Sequence, residues 1–424
     1  MAEQDPTLRE DRHGTSRAER TAMVDEAPPS EAPLTEAAPS AAHPPEVHRS
    51  EACRTEACRS ETRRSGKPPF LPGLELSRAL YEEGVAPLLE GVPHAAARVG
   101  AGSEVLGLDT ERSTDHDWGP RLQLFLPDGC APEYPALLRE RIGAALPRRV
   151  RGWPTRYAPA PGDPGVWQLT DAPTGHHLVD VVGFGPWFDE WLGFDPRAGV
   201  GTADWLAAPT QRLAGLVGGA VFHDGTGELV AAREALAWYP TDVWRYVLAC
   251  QWLRIAQEEP FVGRCAEAGD DLGQRVVAAR LVRDLMRLCL LLARRYPPYS
   301  KWLGSAFSAL PEAAETAPVL RRALTSADPQ HDLAEAYRLV ASWQNRTGLA
   351  EELSPEPRPF HSRPYPVLDA RRFTEALLAG IEDPELVGRP PVGAVDQYLD
   401  STDALEDVTL ARRASASVDR LRRP

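Results

Sequence analysis

The hydrophobic pattern of the chain changes period near Trp205, and that change limits it to two kinds of structure in succession. Beyond Trp205, the stretch D-V-W-R-Y-V-L-A-C-Q-W-L-R-I-A-Q-E (Asp242 to Glu258) carries apolar residues at helical spacing. So do Leu272 to Arg295, Lys301 to Leu310, Ala313 to Leu324 and Leu333 to Trp343. Residues three and four apart share a helix face, so each stretch has a stripe to bury, and together they predict a helical bundle. Before Trp205, short apolar runs alternate with helical ones. Leu74 to Leu89 reads as a helix, Ala95 to Val99 as a short strand, Asp115 to Leu126 as a strand, and Pro132 to Leu146 as a helix. Strand-like pieces follow at Trp153 to Tyr157, Val166 to Leu169 and His177 to Val182. This alternation predicts a small α/β domain with a mixed sheet.

Residues 1–68 are rich in Ala, Pro, Glu, Ser and Arg and poor in large apolar groups. Such a segment cannot bury enough surface to offset its ordering entropy, which predicts a disordered, low-complexity tail. Its near-repeat R-S-E-A-C, R-T-E-A-C, R-S-E-T-R (Arg49 to Arg63) is too short for a solenoid unit. Cys53 and Cys58 lack the second pair of ligands that a zinc finger needs. The expected organisation is a tail over 1–68, the α/β domain over 69–203, the helical domain over 204–350, and a C-terminal part over 351–424. That last part comprises a Pro-rich linker at Ser354 to Pro366, one more helix at Arg371 to Ile381, and loosely held residues past Asp383.

Composition excludes several classes of function. With 47 basic against 61 acidic residues the net charge is -14, which argues against bulk attraction to nucleic acid. No apolar run approaches the roughly 20 residues that cross a bilayer. The start of the chain lacks the basic-then-apolar plan of a secretory signal. Six cysteines scattered over 424 residues do not make a disulfide framework, so a cytoplasmic, reducing location is the expectation.

The chemistry-bearing stretch is G-S-E-V-L-G-L-D-T-E-R-S-T-D-H-D-W-G-P-R (Gly102 to Arg121). A Gly-Ser turn lets the backbone approach a phosphate closely while the hydroxyl and neighbouring N–H groups meet its oxygens. Asp115 and Asp117, two apart on the expected strand, would project from one face. Side-by-side carboxylates repel and stay ionised readily only around a cation, and an all-oxygen set suits magnesium. Asp180, inside the apolar run L-V-D-V-V, would be a costly buried charge without a partner; a shared metal or an arginine would relieve that cost.

Gly-Ser, a spacer, then Asp-x-Asp resembles the signature of the DNA polymerase beta-like nucleotidyltransferases, a superfamily that includes the aminoglycoside and minimal nucleotidyltransferases. With Y-P-P-Y-S-K-W-L-G-S-A-F (Tyr296 to Phe307), the longer wording resembles an uncharacterised bacterial branch known as a domain of unknown function. The resemblance runs from about Phe70 to Leu310. It implies a nucleotidyltransferase-like mixed-sheet domain followed by a helical domain, with a cleft between them. It also implies Mg²⁺-dependent transfer of a nucleoside monophosphate from a nucleoside triphosphate such as ATP to a small-molecule or protein acceptor. Two Mg²⁺ ions would be held by Asp115, Asp117 and Asp180, and Gly102, Ser103 and Lys301 would bind the nucleotide. The alternative is a nucleotide-sensing or partner-binding protein on the same fold, without turnover.

Three further features bear on this. Arg280, Arg283, Arg287 and Arg294 form one basic helix face, either a solvated surface or a wall facing the triphosphate beside Lys301. His176 and His177 read as the wet edge of a strand. G-G-A-V-F-H-D-G-T-G-E-L (Gly218 to Leu229) reads as a hairpin or a domain junction, with Asp224 as an ordinary turn residue.

Overall fold

Small and branched residues in alternation build the sheet on which the site is mounted. The computed structural model describes residues 68–419; the tail before them, with its pentapeptide repeat and Cys53–Cys58 spacing, lies outside the described residues. Strands β1 (Ala95–Arg98) and β2 (Leu122–Leu126) come first. Two short pairs follow, β3 (Arg149–Val150) with β4 (Trp153–Pro154), and β5 (Arg156–Ala160) with β6 (Asp163–Thr170). Strands β7 (Val179–Gly183) and β8 (Ala220–Asp224) complete the set that shapes the molecule. The central sheet has the order β7-β2-β1-β8: β2 and β7 run parallel, and β1 is antiparallel to both β2 and β8.

Because side chains alternate across a strand, the two faces of this sheet feed two cores. Leu122, Leu124, Leu126, Val179 and Val181 join Ala96 on one face. They are covered by α1 (Gly73–Leu80) and by Leu138 and Ile142 of α2 (Tyr134–Ala145). Phe125, Ala95 and Ala97 face the other way. There Phe125 stacks on Phe184 at 5.3 Å and meets Trp187 edge-on at 5.2 Å, both from α3 (Phe184–Leu192), a helix absent from the sequence expectation. Each such fully buried apolar side chain contributes about 1.5–3 kcal/mol.

The second core continues into helices α4 (Thr202–Ala207), α5 (Thr210–Val217), α6 (Glu228–Ala235), α7 (Thr241–Glu258), α8 (Phe261–Glu267), α9 (Asp271–Leu292) and α10 (Ser300–Ser308). It also takes in α11 (Ala313–Thr325), α12 (Pro329–Arg346) and α13 (Arg371–Ala379). Trp252 of α7 is fully buried, stacked on Phe373 at 4.9 Å with its indole N–H donated to Gln344 at 3.1 Å. None of the described helices is long and apolar enough to cross a membrane.

Four expectations need correction. Asp115 to Leu126 is not one strand, since β2 begins only at Leu122. Asp117 at φ 45°, Gly119 at φ 134° and Pro120, which has no N–H to give, cannot extend a ladder. The first helix is regular only to Leu80 and continues as a wider turn over Tyr81–Val85 and a tighter one over Ala86–Leu88. Gly218 to Leu229 is neither a hairpin nor a junction. It supplies β8, the edge of the central sheet, so a strand from beyond residue 204 finishes the α/β layer. Asp224 then holds the turn into α6, accepting from Gly227 N (2.9 Å) and Val230 N (2.9 Å). Finally, the residues past Asp383 are packed: α14 (Val395–Tyr398), α15 (Thr402–Glu406) and α16 (Val408–Asp419) follow one another, with Ala394 and Val395 fully buried.

Candidate functional site

At the end of β1, Arg98 turns its guanidinium back under the Gly-Ser turn. Its Nε donates to Glu104 Oε1 at 2.9 Å and its Nη1 to Val99 O at 2.5 Å, while Nη2 donates to Ala101 O. Arg121, just before β2, donates to the same Glu104 oxygen from Nε (3.0 Å) and Nη2 (2.8 Å). Glu104 is 1% exposed. Burial alone would raise its carboxyl, but the two guanidiniums outweigh it and hold the group below its ordinary value. Burial and the like charge of Arg121 pull Arg98 down to about 10. Gly102 rests directly on this cluster at φ 144°. A Cβ there would come within 2.5 Å of Glu104 Oε2 and 2.6 Å of Arg98 Nη2.

The two acids of the motif sit on a loop, not on a strand face. Asp115 closes a short helical turn, Glu111–Asp115, opened by Thr110, and its Oδ1 lies 2.9 Å from His116 Nδ1. Asp117 is pinned to β6, its N–H donating to Trp167 O at 2.7 Å and its Oδ1 accepting from Trp167 N at 2.9 Å. Trp118 donates its indole N–H to Asp109 at 2.9 Å, an oxygen that also takes Gly73 N at 2.7 Å. Its ring stacks on Phe70 at 5.7 Å and meets Trp153 edge-on at 4.9 Å. At Gly119 a Cβ would come within 2.6 Å of the Tyr157 hydroxyl. The wording W-G-P-R thus fixes the loop that carries both acids.

Between this loop and the helices lies a cleft of about 640 Å³, a size ordinary for small-molecule sites. Gly102, Ser103, Asp115 and Asp117 line it from one side, and Lys301, near the start of α10, from another. Lys301 Nζ lies 4.9 Å from the Trp302 ring centre. The expected basic face divides. Arg283 and Arg287 reach the cleft, whereas Arg280 forms a two-point pair with Glu258 (2.7 and 2.9 Å) and Arg294 lies over Trp244 at 5.4 Å.

The C-terminal segment closes the cleft, which sequence reasoning missed. Asp400 pairs with Arg283 at 2.6 Å. Asp396, buried, accepts from Arg287 Nη2 at 2.7 Å and from the Thr210 hydroxyl. The available signal was two acids four apart, matching two arginines four apart on α9.

Asp180 requires correction as a member of this site. It projects from β7 beside Gln123 of β2, half-exposed, with its Oδ1 taken by Arg139 Nη2 at 2.7 Å. A carboxylate beside an arginine already has its counter-charge. It opens on a separate hollow of about 500 Å³ that shares Ala101, Arg121 and Trp191 with the cleft. Among the described residues no group of three acids, histidines or cysteines is placed to hold a metal ion. His177 is tied between Val179 N (3.2 Å, to Nδ1) and Arg139 O (3.1 Å, from Nε2), and burial lowers its pKa.

Residues 205–303 match the family described as a domain of unknown function (DUF4037). The match spans β8 and the helices from the end of α4 into α10. It therefore includes Arg283, Arg287 and Lys301 on the cleft wall and stops short of Gly102 to Asp117. No curated protein and no solved structure matches the chain.

Proposed function

We propose that the cleft binds a nucleoside triphosphate and transfers its nucleoside monophosphate to an acceptor hydroxyl. The observation that carries this is the gathering of Gly102, Ser103, Asp115 and Asp117 around one cavity with Lys301, which lies almost two hundred residues further along the chain. A left-handed Asp117 and the close-packed Gly119 constrain the loop that carries both carboxylates, which supports this reading.

The residues present fit a single magnesium ion better than two. Asp115 and Asp117 offer two carboxylates, and an ion of this kind commonly completes its shell with phosphate oxygens and water. Bound there, it would neutralise triphosphate charge and favour departure of pyrophosphate. The protein's own share is to seat the phosphates on the Gly102-Ser103 turn and to hold Lys301 against them. In the transfer, an acceptor oxygen bonds to the α-phosphorus, the bond from that phosphorus to the α–β bridging oxygen breaks, and pyrophosphate leaves with the electron pair. The acceptor proton passes to solvent.

A second reading is a nucleotide sensor without turnover. What favours it is Asp180, committed to Arg139 and away from the other two acids. Incubation with each nucleoside triphosphate, Mg²⁺ and candidate acceptors, followed by pyrophosphate assay, separates the two. Release that depends on acceptor and vanishes in Asp115→Ala/Asp117→Ala supports transfer; tight binding with no release under any acceptor supports sensing.

A further inference from the structure

Arg98 and Arg121 both hold Glu104, yet only one of them can meet anything else. Arg98 is buried, with all three of its nitrogens spent on Glu104 and the carbonyls of Val99 and Ala101. Arg121 spends Nε and Nη2 on Glu104, and no described acceptor takes Nη1. Its side chain is 18% exposed and lines both the cleft and the hollow that holds Asp180. Two guanidiniums around one carboxylate leave one positive charge uncompensated under the Gly102-Ser103 turn. Asp117 is a near acid, but it forms no ion pair with Arg121, and one of its oxygens is held by the Trp167 N–H.

A buried excess charge is costly unless something neutralises it, and here it opens to solvent through Arg121 alone. The free edge of a guanidinium matches the oxygens of a phosphate group. We infer that Arg121 binds a phosphate of the substrate at the junction between cleft and hollow, as a residue that contacts the ligand directly. This rests on reading the cleft as a nucleotide site, and it deepens that reading by naming a residue that meets the substrate's phosphates. Asp115 and Asp117 would repel a bare anion, so the phosphate enters together with its magnesium.

The test is titration calorimetry of wild type, Arg121→Lys and Arg280→Lys with inorganic tripolyphosphate and with ATP, both with Mg²⁺, alongside melting curves to confirm folding. Arg121→Lys is expected to weaken both ligands at least tenfold, while Arg280→Lys, on the basic face of α9 but paired with Glu258 away from the cleft, leaves both affinities unchanged. If Arg121→Lys fails to fold, Arg121→Gln, which leaves Arg98 and Glu104 paired one to one, takes its place with the same expectation. Equal losses in the Arg280 and Arg121 variants, or a loss for ATP with tripolyphosphate unaffected, would overturn the assignment. Tripolyphosphate binding that depends on Arg121, with no binding of any nucleoside triphosphate, would uphold Arg121 and remove the nucleotide reading.

Discussion

Glu104 accepts two hydrogen bonds from Arg121 across 17 residues of chain, at 3.0 and 2.8 Å, and this contact joins the Gly-Ser turn to the loop carrying Asp115 and Asp117. The two halves of the motif are held in register by a buried ion pair. Removing the carboxylate leaves two arginines without a counter-charge. Glu104→Ala is therefore expected to cost about 3–5 kcal/mol of stability, measured by urea unfolding. A cost under about 1 kcal/mol would mean that the clamp is not needed for folding.

Gly102 should tolerate no side chain. A Cβ at φ 144° would press on Glu104 and Arg98 together. Gly102→Ala is expected to destabilise by more than about 1 kcal/mol and to weaken ligand binding with it, because the turn must move off the cluster. Gly129, also at positive φ but with nothing near its open side, is the comparison: Gly129→Ala carries the backbone cost without the collision.

On the cleft wall, Asp396 and Arg287 form a buried pair. Asp396→Ala strands a buried guanidinium and should cost about 3–5 kcal/mol, whereas replacing both residues with leucine and methionine should cost much less. Differential melting of the single and double variants checks this. An equal loss in both would show that packing, not charge, governs the contact.

Glu259 gives the protein a pH dependence. Burial pushes its carboxyl from 4.5 up to about 7, even though the backbone N–H groups of Ala370 and Leu368 favour the charged form. Between those two values the unfolded chain has released a proton that the folded chain keeps, so stability falls as pH rises through this window, by on the order of 3 kcal/mol. Glu259→Gln should flatten that part of the stability curve. A wild-type curve that rises steadily from pH 5 to 7 would contradict the assignment.

The helical half of the molecule was legible because its signal is local. The stripes at Asp242 to Glu258 and Leu272 to Arg295 lie within α7 and near α9, since a helix satisfies its own backbone and shows its buried face in sequence. Of the six residues that type and spacing singled out, five line one cleft. What sequence did not reveal depended on distant partners. The positive φ of Asp117 follows from its two bonds to Trp167, far along the chain. The place of β8 follows from pairing with β1. Asp180 looked like a buried acid in search of a cation, and the cation is Arg139, whose position depends on how α2 packs over β7. The C-terminal acids looked like a polar tail until Arg283 and Arg287 supplied their partners.

Asp115, Asp117 and the Gly-Ser turn are proposed to bind a metal–nucleotide pair. Thermal melting of wild type and Asp115→Ala/Asp117→Ala, with each of the four ribonucleoside triphosphates and with or without Mg²⁺, tests that binding most directly. Saturation at a hundred times the dissociation constant adds about 2.7 kcal/mol of stability. A Mg²⁺-dependent rise in Tm with at least one nucleotide is expected in wild type and none in the double variant. The same rise in both proteins, or no rise with any nucleotide, would contradict it.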